Sequence, residues 1–91
     1  MDLTAFLVGI IKINFQKLIG ETINVFALEF TLLNLIPIED VDKYNIADVL
    51  LCLKKIAGKT TLFKDNINKN DGNVLIDDEI VKKFINEIEK K

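Results

Sequence analysis

Oxygen-bearing side chains at alternate positions, placed just before an amphipathic helix, are the residues of this chain whose types and spacing suggest chemistry. The set in the second half of the chain comprises Asn66, Asn68, Asn70, Asp71 and Asp78. Calcium takes about six to eight oxygen ligands from carboxylates, amides and backbone carbonyls, and a loop with this composition supplies all three kinds. The sequence therefore predicts a calcium site in the loop 66–78, with Asp78 closing the coordination shell at the helix start.

The predicted site is weak for two reasons. Neutral asparagine stands at three of its ligand positions, and one residue is inserted before Gly72 relative to the twelve-residue loop of an EF-hand. The charge of the ligands and the rigidity of the loop set calcium affinity. An alternative without any metal stays open. In that alternative Gly72 serves a turn and Asp77 is a plain helix cap.

A shorter copy of the same pattern precedes the other helix of the second half. Its acidic residues are Asp40, Asp42 and Asp48, and Lys43-Tyr44 stands where the centre of the loop would be. This loop is about three residues shorter than the twelve that surround an ion in an EF-hand. We therefore expect no metal in the first copy.

Residue types that are missing exclude most enzymes. The chain contains no His, Ser or Arg, and Cys52 is the only cysteine. A Ser-His-Asp triad, a Cys-His pair and a zinc site built on histidine or several cysteines are thereby impossible. Cys52 lies in the apolar run Leu50–Leu53, which is typical of a buried, inert thiol. The sequence predicts a protein that is not an enzyme.

The net charge and the apolar segments limit the partners. A net charge of −2 and a pI near 5.0 argue against nucleic acid, which requires a basic surface. The apolar run 6–11 is far too short to span a bilayer, and Asp2 precedes it where a signal peptide would carry positive charge. We expect no membrane span and no signal peptide.

The first 36 residues predict strands. Ile11, Ile13 and Phe15 alternate with polar residues, which is the period of a half-buried strand. Gly20-Glu21 supplies a turn, and the alternation resumes over Thr22–Val25. For the segment 25–33 we favour a strand, with a helix as the competing interpretation.

The second half predicts two amphipathic helices, from about 45 to 58 and from about 78 to 89. Their apolar residues recur at helical spacing, Asn45 and Asp77 suit the cap positions, and Gly58 suits a helix end. The predicted class is α+β: a short antiparallel β segment followed by two amphipathic helices of a loop-helix pair. The predicted organisation is a β-rich segment 1–38 followed by a two-helix module 39–91.

The stretches Asn45–Lys59 and Asn66–Asp78 together resemble a dockerin, a module of two EF-hand-like loop-helix repeats. Asn45–Lys59 is similar to the first dockerin helix, and Asn66–Asp78 to the second calcium loop. The strands predicted at 11–15 and 20–25 weakly resemble the end of a cohesin-like surface sandwich domain. The resemblance implies a non-catalytic protein–protein interaction module, calcium as the ligand of the loop, a cohesin-like β-sandwich domain as the partner, and an extracellular or cell-surface location.

A plainer alternative is a small structural globular domain with no metal site. In that interpretation the helical apolar stripes pack on the strands and do nothing else.

Overall fold

Six helices and one pair of short strands make up residues 2–90, the part of the chain that a computed structural model describes. The helices are α1 (Leu3–Asn14), α2 (Leu28–Leu33), α3 (Ile38–Asp42), α4 (Ile46–Gly58), α5 (Lys64–Lys69) and α6 (Asp78–Glu89). The strands are β1 (Thr22–Asn24) and β2 (Asn73–Leu75), and 3-10 turns occupy Phe15–Leu18 and Val25–Ala27. The predicted α+β class is confirmed, with a chain that is mostly helical.

The two strands pair antiparallel, with Ile23 opposite Val74. Further backbone hydrogen bonds extend the ladder: the Gly20 amide donates to the Ile76 carbonyl at 2.8 Å, and the Val25 amide donates to the Gly72 carbonyl at 2.8 Å. The predicted strand over Thr22–Val25 is confirmed for Thr22–Asn24, whereas Val25 begins a 3-10 turn; the turn predicted at Gly20-Glu21 is confirmed at Gly20. The partner strand comes from the second half of the chain, which the sequence did not indicate.

The prediction of a strand at 11–15 was wrong, because this segment ends α1 and enters the following 3-10 turn. Leu7, Ile11 and Phe15 recur every four residues and are buried, so they form the inner stripe of a helix. Ile13, which a strand would have placed beside Ile11 and Phe15, is 67% exposed. The Asp2 side chain accepts a hydrogen bond from the Thr4 amide and caps the helix.

The preference for a strand over 25–33 was also wrong, and the competing helix is what forms. The Asn24 side chain accepts a hydrogen bond from the Phe26 amide at 2.9 Å and starts the helical stretch. Leu28 and Leu32, four residues apart, are the residues of α2 that enter the core.

Both predicted helices of the second half are confirmed as α4 and α6. The side chains of Asn45 and Asp77 accept hydrogen bonds from the amides of Ala47 and Ile80, each at 2.8 Å. These bonds satisfy amides that have no partner within the helix. The short helices α3 and α5 were not predicted; they lie in segments that we expected to be loops.

One hydrophobic core joins the two predicted segments 1–38 and 39–91, so the segments form a single unit. The rings of Phe15 and Phe84 stack with centroids 4.1 Å apart, and Phe63 lies 6.1 Å from Phe84. The buried core residues are Leu7, Ile11, Phe15, Ile23, Leu28, Leu32, Ile36, Val49, Leu53, Ile56, Phe63, Val74, Ile76, Val81, Phe84 and Ile88. Seven of these precede residue 39, so the β-rich N-terminal segment of the prediction is in fact a largely helical half of the core.

Replacement of Phe84 by alanine should lower the free energy of unfolding by about 3–5 kcal/mol, since the ring is fully buried between two other rings. Urea denaturation followed by circular dichroism measures the loss. The control Ile13→Ala removes an exposed side chain and should change stability by about 0.5 kcal/mol or less. If Phe84→Ala does not fold, Phe84→Leu should still show a smaller loss. Equal stability of the Phe84 and Ile13 variants would contradict this account of the core.

Candidate functional site

The five predicted metal ligands lie on three different elements, and strand β2 separates the last of these from the other two. Asn66 and Asn68 are inside α5, Asn70 and Asp71 belong to the turn after it, and Asp78 is the first residue of α6. The structure therefore replaces the first half of the predicted loop with a helix. Helical backbone sends Asn66 and Asn68 in different directions, because residues two apart do not face each other on a helix.

The turn that follows α5 reverses the chain into β2. The Asn73 amide donates to the Asn70 carbonyl at 3.0 Å, and both central residues have positive φ, 53° at Asp71 and 85° at Gly72. Positive φ at both central positions is the pattern of a type I′ turn, for which Asp-Gly is a preferred pair. The interpretation of Gly72 as a turn residue, which the sequence left open, agrees with this geometry.

Hydrogen bonds within the protein occupy the backbone oxygens of the loop. The Asn66 carbonyl accepts from the Gly72 amide at 2.7 Å, and the Asn66 side chain donates to the Asn73 carbonyl at 3.1 Å. An EF-hand loop would use the carbonyl that follows its central glycine as a calcium ligand, which here is that of Asn73. The side-chain amide of Asn66 therefore contacts the carbonyl oxygen that the resemblance would assign to the ion.

Asn24, 47 residues earlier in the chain, closes the loop from the other side and was missed by the sequence analysis. Its side-chain nitrogen donates to the Asp71 carbonyl at 3.1 Å and to the side-chain oxygen of Asn73 at 3.0 Å. Asparagine is uncommon inside strands, so its place in the strand pattern was a signal that its amide has another partner.

The donor set fits a calcium ion poorly. Counting from Gly72 as the central glycine of an EF-hand puts Ile67 and Lys69 at the first two ligand positions, and neither offers a side-chain oxygen. Across residues 2–90, no group of three or more acidic or cysteine side chains could hold a metal ion. Calcium binding in the loop 66–78 stays a prediction.

The shorter first copy of the pattern also folds into helix. Asp40 and Asp42 are part of α3, and Asp48 is in the first turn of α4. Lys43 pairs with Asp40 at 3.7 Å, as residues three apart do on a helical turn.

Two exposed aromatic side chains stand out on the surface. Phe26 is 66% exposed and Phe30 is 54% exposed, and they lie one turn apart on the continuous helical stretch 25–33. They share one side of the stretch, because residues four apart lie above one another. We name these two residues the Phe26/Phe30 patch. A shallow groove beside it runs between Val25 and Glu29 on one wall and Lys54 and Gly58 on the other.

The Phe26/Phe30 patch is tied to the loop through Gly72. A Cβ added at Gly72 would come within 2.7 Å of the Phe26 ring and 3.2 Å of the Asn24 side-chain oxygen. The ring therefore lies directly over the glycine, and the turn supports one of the two aromatic side chains of the patch.

Cys52 is half-buried, and its sulfur accepts a hydrogen bond from the Thr4 hydroxyl at 3.5 Å. The contact joins α4 to the start of α1. Among the described residues no helix is long and apolar enough to cross a membrane.

Comparison of the chain with known protein families, with curated proteins and with solved structures gives no match. The resemblance to dockerins rests on the residues quoted above.

Substitution of Gly20, Gly58 and Gly72 by alanine should separate backbone strain from crowding. Gly72→Ala should destabilise most, by about 2–4 kcal/mol, because it combines a left-handed φ with a clash against Phe26. Gly20→Ala has a left-handed φ of 89° and open space, so about 1–2 kcal/mol is expected. Gly58→Ala, in the last turn of α4 with open space, should stabilise by about 0.5–1 kcal/mol.

Thermal unfolding of the three variants tests this order. A Gly72→Ala variant as stable as Gly20→Ala would mean that the Phe26 ring does not lie over the turn.

Calcium should bind the loop 66–78 with a dissociation constant on the order of 10⁻³ M or weaker, since the loop offers few charges and several of its backbone oxygens already accept hydrogen bonds. At 1 mM calcium the melting temperature should then rise by no more than about 3 °C. Differential scanning calorimetry with and without the ion measures the shift, and Asp78→Asn should abolish any that occurs. Binding tighter than about 10⁻⁴ M would contradict the structure of the loop described here.

Proposed function

We propose that this chain is a non-catalytic protein-interaction module that binds its partner through the Phe26/Phe30 patch. The observation that carries the proposal is the exposure of two phenylalanine rings on one side of a short helical stretch. Aromatic residues are enriched and charged residues depleted at the centre of protein interfaces. From residue 22 to residue 38 the chain carries a single charge, that of Glu29.

The energetics support an anchoring role. Full burial of a phenylalanine side chain contributes about 1.5–3 kcal/mol relative to exposure. More than half of the surface of each residue in the patch is exposed to solvent, so a partner can still gain more than half of that free energy. Binding energy in interfaces is concentrated in a few such side chains.

The residues of the chain favour binding over catalysis. Its carboxylates lie on turns, helix ends and exposed helix faces, and no histidine, serine or arginine is present to act beside them. This is the basis on which we propose that the chain is not an enzyme.

The resemblance to dockerins supports a cohesin-like β-sandwich domain as the partner. Weak calcium binding by the loop 66–78 belongs to the same proposal, because the Phe26 ring rests on that loop at Gly72. The competing proposal is a small structural domain that has neither a partner nor a metal site.

Purified cohesin domains encoded by the same genome, titrated with the full chain by calorimetry, test the proposal. The double variant Phe26→Ser/Phe30→Ser should bind at least about tenfold more weakly, since each lost anchor costs about 1 kcal/mol or more. Ile13→Ser is the matched control, because Ile13 is 67% exposed but lies on α1, outside both the patch and the stretches that resemble a dockerin. Its binding should equal that of the unmodified chain.

Absence of binding to any of these domains at micromolar concentrations would favour the structural alternative. Equal loss of binding in the Ile13 variant would remove the Phe26/Phe30 patch as the contact surface.

A further inference from the structure

A second group of exposed apolar residues lies within the segment 38–48, which contains α3, the turn after it and the first residues of α4. Its apolar residues are Ile38, 74% exposed, Tyr44, 37% exposed, and Ile46, 49% exposed. The Tyr44 ring packs against Phe6 of α1 with centroids 5.6 Å apart, which fixes the turn to the rest of the molecule. We name this segment the 38–48 surface.

The 38–48 surface has a net negative charge. It holds four carboxylates, those of Glu39, Asp40, Asp42 and Asp48, against the single cation Lys43. Its net charge is thus −3, while the whole chain carries −2, so all other residues together carry +1. Of the four carboxylates, only Asp40 has an ion-pair partner within residues 2–90.

We propose that the 38–48 surface docks an amphipathic helix of a partner protein, one whose apolar stripe is flanked by lysine or arginine. The apolar stripe of such a helix would cover Ile38, Tyr44 and Ile46, as in recognition of helices by apolar surfaces. Its cations would meet the unpaired carboxylates of Glu39, Asp42 and Asp48. Charge complementarity of this kind accelerates association and excludes partners of the wrong sign.

The same charge excludes the other classes of occupant. Membrane surfaces and nucleic acids are anionic, so a face of charge −3 would repel them. A symmetric contact with a second copy of the chain would place this face against itself, and like charges would oppose each other. A basic helix is the occupant that satisfies both the apolar and the charged residues.

The test uses a synthetic amphipathic peptide of about 15 residues built from leucine and lysine, labelled with fluorescein. A second peptide has glutamate in place of every lysine and the same leucine positions. Fluorescence anisotropy with the full chain should show the lysine peptide binding at least about tenfold more tightly, and the difference should shrink in 0.5 M NaCl. Equal binding of the two peptides would overturn the proposal.

Two sets of variants locate the contact. Ile38→Ser/Ile46→Ser and, separately, Glu39→Gln/Asp42→Asn/Asp48→Asn should each weaken binding of the lysine peptide by about tenfold. Leu75→Ser, which alters a 61% exposed side chain on β2, and the Phe26→Ser/Phe30→Ser variant should leave it unchanged. These controls also separate the 38–48 surface from the Phe26/Phe30 patch, so either proposal can fail without the other.

Loss of peptide binding in the Leu75 variant equal to that in the isoleucine variant would overturn the proposal. Should the isoleucine variant not fold, the charge-neutral variant alone decides, and unchanged binding there overturns it. Sedimentation of the chain without peptide tests whether a second copy of the chain is the occupant. A dimer that dissociates on Ile38→Ser/Ile46→Ser would identify a second copy as the occupant and would also overturn it.

Discussion

The pairing of β1 with β2 is the constraint on which the other contacts of the fold depend. Two strands of three residues are only marginally stable by themselves, so the ladder requires the core beneath it. Ile23 and Val74, which face each other across the ladder, both point into that core. The pairing brings α1, which leads toward β1, and α6, which follows β2, to the same place. Phe15 and Phe84 stack there although 69 positions separate them in the chain.

The same strand pairing explains why the turn after α5 is connected both to β1 and to the helical stretch that follows β1. Asn24 follows Ile23 in β1 and thereby reaches the carbonyl of Asp71 and the side chain of Asn73. Its own side-chain oxygen then starts the helical stretch that carries Phe26. One asparagine side chain therefore couples the ladder, the turn and the Phe26/Phe30 patch. Within the loop 66–78, the side chains of Asn66 and Asn73 make hydrogen bonds in this arrangement, which is the use that amide side chains have in many turns.

Local signals in the sequence were sufficient for some elements and insufficient for others. The helices α4 and α6 were predictable because a cap, an apolar stripe and a plausible end occur together in each. Over the short window 11–15 at the end of α1, the apolar residues fit both the two-residue period of a strand and the 3.6-residue period of a helix. The stripe from Leu7 through Ile11 to Phe15 decides for helix, and it becomes visible only in a longer window. The contact of Asn24 with Asp71 spans 47 positions, so no local pattern could reveal it. The residues that resemble calcium ligands could not be distinguished in the sequence from residues of turns and helix ends, because caps and turns use the same residue types.

The buried side chains account for the stability of the fold, and the exposed apolar residues contribute little to it. Sixteen buried side chains from both halves of the chain form one continuous core. Phe26, Phe30, Ile38 and Ile46 keep much of their area in water, so they add little to the hydrophobic stabilisation of that core. Single exposed apolar residues are ordinary in proteins, whereas groups of them mark interaction sites. Here they form two groups with different electrostatics: one nearly uncharged, and one surrounded by carboxylates. A single partner surface cannot match both environments equally well, since the cations that complement one group would be desolvated without compensation against the other. The two proposed contacts therefore call for two different partner surfaces, the first apolar and the second basic.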